Sequence, residues 1–218
     1  MKVAIIVFPE MNSDIDLFKA CETAGWYPEY VYYSQNSLDS FELVILPGFN
    51  SCSENDSHIQ QAVYSPIITE VKSFNLQKKG VILGISSGFK ILCEIGLLPG
   101  DVVPNENGKF ICTDSDLTLY EYGVARKVVL PIAHSVGKFV VNPKILNYLE
   151  ENNMVFLQYV RTPNGSVGDI AGLIDREKGV VGMIPHPEIF ASGVNGHEDG
   201  KLILKIIENL VDEVKSRV

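Results

Sequence analysis

Three side chains suited to acyl transfer fall in two short stretches. Ser86 is the centre of Gly84-Ile85-Ser86-Ser87-Gly88, and His186 stands two residues before Glu188 in Pro185-His186-Pro187-Glu188. A hydroxyl attacks a carbonyl carbon once a histidine takes its proton, and a carboxylate can hold that imidazole in one tautomer. Gly-x-Ser-x-Gly between a strand pattern and a helix pattern is the nucleophile-elbow arrangement. Its glycines let the backbone take a strained turn between tightly packed elements. The Ser87 N–H, at the helix start, is placed to stabilise an oxyanion. Alone, Gly-x-Ser-x-Gly is as often chance as function, and a Pro-His-Pro-Glu turn is more often only a rigid loop. At two strand ends of one α/β chain, they favour a triad.

The elements that must position these groups are legible in the hydrophobic pattern. Val3–Phe8, Pro28–Tyr33, Phe41–Leu46 and Gly80–Ile85 are apolar, β-branched runs that suit strands of a parallel sheet. Helical spacing intervenes: Ile15, Phe18 and Cys21 after a cap at Asn12 or Ser13, with a stop at Gly25. Further helical patterns run over 58–74, interrupted at Pro66, and over 87–94. The middle of the chain changes to close-set strand patterns over 109–123 and 127–141, which predict an antiparallel meander. A short helix capped by Asn142, strands in MVFLQYV and VVGMIPHP, and a C-terminal helix with Leu202, Ile203, Ile206, Leu210 and Val214 on one face complete the pattern. The alternation predicts an α/β fold whose sites lie at the carboxyl ends of strands. Without repeats or linkers, residues 1–218 read as a single domain.

Composition narrows the function. The 218 residues carry a net charge of −9, which repels phosphate backbones and argues against nucleic acid. No apolar run has the length of a membrane span, and Pro9 and Glu10 cut short the first one, against a signal peptide. Cys21, Cys52, Cys93 and Cys112 are scattered, which suits reduced thiols in the cytoplasm and neither disulfides nor a zinc site.

The chain resembles the class I glutamine amidotransferases, whose triad is an elbow cysteine with His-x-Glu near the C-terminus. Within them it is most similar to the glutaminase subunits of phosphoribosylformylglycinamidine (FGAM) synthases, which serve purine biosynthesis. The resemblance covers nearly the whole chain: VFPEMNSDID, VILPGF, GFKILCEIGLLPG, KFIC, LPIAHSVGKFV, PNGSVGDIAGL and GMIPHPE occur in that family's order and at about its spacing. It implies a three-layer, flavodoxin-like open sheet, mostly parallel, flanked by helices and carrying an antiparallel patch. It implies that the elbow residue attacks the glutamine side-chain amide, with Ser86, His186 and Glu188 catalytic. Gly48, Phe49 and Ser87 would form the oxyanion hole, and His134 would border the glutamine pocket. The implied partners are glutamine, a synthetase subunit, plus a small third subunit. ATP and magnesium belong to the synthetase, leaving this subunit without metal or cofactor.

The departures from the family lie at the chemistry. Ser86 stands where the family has its cysteine, Ser87 where it has asparagine, and Lys90 where it has glutamine. One glycine is lost after Gly48, Ser135 and Val136 replace a Gly-Glu pair, and Ile189 replaces an arginine. A hydroxyl ionises far less readily than a thiol at a helix N-terminus. Glutaminase activity is therefore expected to be strongly reduced or absent. A single exchange of sulfur for oxygen explains Ser86 alone, whereas divergence explains all these positions. A chain without the chemistry would serve as a structural partner to a synthetase fed by free ammonia. A serine hydrolase using Ser86, His186 and Glu188 is the weaker alternative, because α/β-hydrolases place the acid before the histidine. Cys52 is an alternative thiol, although an exposed loop cysteine is the commoner case. Cys93 is expected in the core, Cys21 and Cys112 on apolar faces, and His58 and His197 at the surface.

Overall fold

A computed structural model of the chain describes residues 1–9, 14–48, 57–193 and 196–217. The first half alternates β1 (Lys2–Val7), α1 (Asp14–Thr23), β2 (Tyr27–Tyr32), β3 (Leu43–Leu46), α2 (Ser57–Val63), α3 (Pro66–Leu76), β4 (Val81–Ile85) and α4 (Ser87–Glu94). The second half adds β5 (Asp101–Pro104), β6 (Ile111–Glu121), β7 (Val124–His134), β8 (Val136–Val140), α5 (Pro143–Glu151), β9 (Val155–Tyr159), β10 (Ile170–Asp175), β11 (Val180–Met183) and α6 (Asp199–Lys215). Among the described residues, nine strands form one sheet in the order β2-β1-β3-β4-β11-β10-β9-β6-β7. The first five run parallel, and the remaining four are added antiparallel. The apolar runs of β3 and β4 are buried throughout, as strands covered on both faces must be.

Several elements differ from the sequence reading. β10 and β5 were not visible in it, because β10 holds Gly172 within a short apolar run and β5 has only four residues. The meander is incomplete: β6 and β7 form a hairpin, but β8 leaves the main sheet to pair with β5. The buried face of α1 is Leu17, Ala20 and Cys21, while Ile15 is exposed. Cys112 is exposed as well, because it lies on the solvent side of β6. The caps at Asn12 and Ser13 lie outside the described residues. Asn142 does cap α5, its side chain accepting from the Ile145 N–H.

The antiparallel arm curls back over the site end of the sheet. The His186 N–H donates to the Pro131 carbonyl of β7, and the Val129 N–H donates to Asp199 at the start of α6. The PNGS stretch holds the adjoining β8 in place. Buried Asn164 donates to the Gly137 carbonyl and accepts from the Ser166 N–H and hydroxyl, while Ser166 accepts from the Phe139 N–H. Among the described residues, no helix is long and apolar enough to cross a membrane.

Candidate active site

Four strands deliver the site. β3, β4 and β11 run the same way, so their following residues Gly48, Ser86 and the His186 segment lie at one end of the sheet. Four successive antiparallel steps from β11 restore that direction in β7, so His134, its last residue, lies at the same end.

β4 holds the chain rigidly to Ile85, and the backbone then turns at Ser86 with φ 53° and ψ −112° before entering α4. A side-chain-bearing residue in this region stores strain of about 1–3 kcal/mol. Packing enforces it. A Cβ on Gly84 would lie 2.6 Å from the Gly88 carbonyl oxygen, and one on Gly88 would lie 1.9 Å from that of Leu46. The Ser86 N–H donates to the Met183 carbonyl at 2.7 Å, anchoring the elbow to β11. Ser86 is thus the elbow residue that the sequence pattern implies.

His186 follows β11 and is buried, as is Glu188 in the 3₁₀ turn Pro187–Phe190. Imidazole Nδ1 and Glu188 Oε1 are 2.7 Å apart. Burial is the largest influence on this imidazole and opposes its protonation. The charge and hydrogen bond of Glu188 together outweigh burial and hold it above its usual value. With Nδ1–H donated to Glu188, Nε2 is the basic nitrogen.

Gly48 brings the halves together. A Cβ built there would meet Ser86 Cβ at 3.0 Å, Ser86 Oγ at 3.5 Å and His186 Cε1 at 3.2 Å. Glycine lets the chain pass this close to both side chains, where any Cβ would have to push them back. Yet Ser86 and His186 are not hydrogen-bonded to each other, since buried His186 Nε2 has no hydrogen-bond partner among the described residues. A complete Ser-His-Glu relay is therefore absent from this arrangement. The second Glu188 oxygen also lacks a partner there. Ser87 begins α4 as expected, whereas Phe49 and Cys52 lie outside the described residues.

The other singled-out residues separate cleanly. Lys90 is buried and its ammonium is engaged by β5, 3.0 Å from the Val102 carbonyl and near Asp101 and Glu94. Cys93 and Cys21 are buried in apolar surroundings that raise both thiols, Cys21 to about 12 through burial and then the nearby Glu188 charge. His58 and His197 are half-buried, and His197 stacks on Phe190 with ring centroids 4.5 Å apart.

His134 is buried, with Nδ1 2.9 Å from the Asn105 carbonyl oxygen Oδ1. Asn105 was not singled out from sequence; its only signal is a turn-rich Pro-Asn-Glu-Asn-Gly stretch. Burial, and then the His186 charge, lower His134 to about 4. A histidine lowered in the folded state gives stability that is complete above its unfolded value near 6.5 and is lost as pH falls through its folded value. Between those limits His134 should cost the fold up to about 3 kcal/mol. Urea unfolding at pH 7.5 and pH 4.5 should show a smaller acid loss for His134→Gln than for the parent chain. Comparing the two chains isolates this effect from His186, whose raised value acts in the opposite sense.

Comparison with known proteins gives the family and the fold. Residues 1–201 match the family model described as a CobB/CobQ-like glutamine amidotransferase domain. A chain of the PurLQS structure from Thermotoga maritima is 34% identical, with 95% of this chain and 97% of that one covered and a TM-score of 0.83. A GMP synthase-type protein from Thermoplasma acidophilum shares the fold at 13% identity, TM-score 0.71, with 99% and 96% covered. A glutamine amidotransferase from Thermotoga maritima does so at 16% identity, TM-score 0.55, with 99% and 94% covered.

Proposed function

Because the chain belongs to the family of CobB/CobQ-like glutamine amidotransferase domains, we propose that it is the glutaminase subunit of an FGAM synthase, with glutamine hydrolysis weakened or lost. The observation that carries this reading is the elbow. Ser86 sits in the strained nucleophile conformation beside Gly48 and a buried His186–Glu188 pair, in a chain 34% identical to one of PurLQS.

This reading assigns each residue a step. Glutamine would enter with its side-chain carbonyl carbon over Ser86 Oγ. His186 Nε2 would take the hydroxyl proton as the C–O bond forms, and Glu188 would stabilise the imidazolium. The backbone at Gly48 and Ser87 would hold the developing oxyanion. The imidazolium would return its proton to the departing nitrogen, giving ammonia and a γ-glutamyl ester on Ser86. Water, deprotonated by the same Nε2, would release glutamate. A cytoplasmic synthetase subunit, using ATP and magnesium, would consume the ammonia.

The unpartnered Nε2 favours a second reading on the same scaffold, a structural subunit that leaves the synthetase to use free ammonia. Both readings expect a complex. Size-exclusion chromatography of this chain with the FGAM synthetase subunit of its own organism should give a co-eluting peak. Synthesis by the complex should proceed with ammonium and at most weakly with glutamine. Lack of association would reject both readings. Turnover of a small chromogenic ester without glutaminase activity would instead support a serine hydrolase.

A further inference from the structure

The proton positions around His134 are fixed by its neighbours. Asn105 is buried, and its Nδ2 donates both hydrogens, to the Lys109 carbonyl at 2.8 Å and to the His134 carbonyl at 2.9 Å. Its N–H donates to the Ser135 carbonyl at 2.9 Å. Its Oδ1 is therefore the acceptor facing His134 Nδ1 at 2.9 Å, so the neutral imidazole carries its hydrogen on Nδ1. Nε2 is then a lone-pair acceptor, and it is buried without a hydrogen-bond partner among the described residues.

Gly137 closes the other side of this ring. A Cβ there would lie 2.2 Å from His134 Nδ1 and 2.3 Å from Cε1, so no side chain can enter to rearrange the pair. His186 is held to the same strand, its N–H donating to the Pro131 carbonyl. His134, locked by its Nδ1 partner, thus places one bare acceptor at the site end.

We propose that Asn105 is a positioning residue that fixes His134 as a hydrogen-bond acceptor, so that the site favours a carboxamide over the corresponding carboxylate. The inference rests on the glutamine reading of the site and specifies how its substrate is told from its product. A carboxamide –NH₂ can donate to Nε2, whereas a carboxylate oxygen opposes one lone pair with another and leaves both buried groups unpaired. Hydrolysis converts the favoured ligand into the disfavoured one, which promotes release.

Asn105→Asp preserves the shape but replaces a neutral acceptor with an anion, which favours protonated His134 and turns Nε2–H into a donor. His186, backed by Glu188, is the titratable charge acting on His134 from the opposing segment. Calorimetric titration at pH 6 should show the parent chain binding glutamine at least tenfold more tightly than glutamate. Asn105→Asp should reduce that ratio at least tenfold. On the unmodified chain, ¹⁵N NMR should place the His134 hydrogen on Nδ1 with Nε2 unprotonated at pH 7.5. An Nε2–H tautomer, equal affinities in the parent chain, or an unchanged ratio in the variant would overturn this inference alone. Failure to bind glutamine at all would overturn the glutamine reading and this inference with it.

Discussion

Ser86→Cys is expected to raise glutamine hydrolysis by at least about a hundredfold over the parent chain. The position already supplies what a thiol needs. It lies in the strained elbow at the first turn of α4, where the helix dipole favours an anion. His186, raised by Glu188 against the effect of burial, is the base that the proposed reading assigns. A serine at this place must lose its proton in concert with attack, which requires alignment with Nε2, and that hydrogen bond is not made. A larger and more acidic sulfur ionises beforehand and depends less on that alignment. Glutamate and ammonia release by both chains would measure the effect. Robust turnover by the parent chain would falsify the reading of Ser86 as a weakened nucleophile.

Gly88→Ala is expected to destabilise the fold by about 3 kcal/mol or more and to lower the melting temperature by roughly 10 °C. The new Cβ would lie 1.9 Å from the Leu46 carbonyl oxygen and 2.7 Å from its carbon. Both are backbone atoms of a central strand, so no side-chain rotation relieves the clash. α4 would have to move away from β3, carrying the elbow with it. Gly108→Ala provides the control. Gly108 has φ +61° but nothing within 4 Å of an added Cβ, so it should cost only about 1 kcal/mol. Thermal unfolding of the two variants separates steric from conformational cost, and similar melting points would contradict the close α4–β3 approach.

The parallel half of the fold, the elbow turn and the His186–Glu188 pair were legible because each rests on local pattern. Continuous apolar runs identify β1, β3 and β4, and Gly-x-Ser-x-Gly marks the turn between β4 and α4. The His186–Glu188 bond is also local, spanning two residues with prolines on both sides of the histidine. What could not be read depends on long-range geometry. The Asn105–His134 pair joins residues 29 apart, and neither flank suggests the other. The partnering of β8 with β5, away from its neighbour β7, is likewise a tertiary choice that strand periodicity does not encode. The missing hydrogen bond from Ser86 to His186 is a matter of side-chain geometry at two strand ends, which spacing in the chain does not reveal.

The place of β11 in the sheet has a consequence for biosynthesis. β11 pairs with β4, joining residues 180–183 to residues 82–85 across nearly a hundred intervening positions. A ribosome that has released the first hundred residues has supplied four parallel strands and the elbow, but β4 still presents an unpaired edge. That edge stays open until the penultimate element emerges, and during this interval it is the exposed template for pairing with another chain. The same strand that closes it brings His186 to Ser86. Completion of the sheet and assembly of the site are therefore one late step, and nascent chains that stall before it should require chaperone protection.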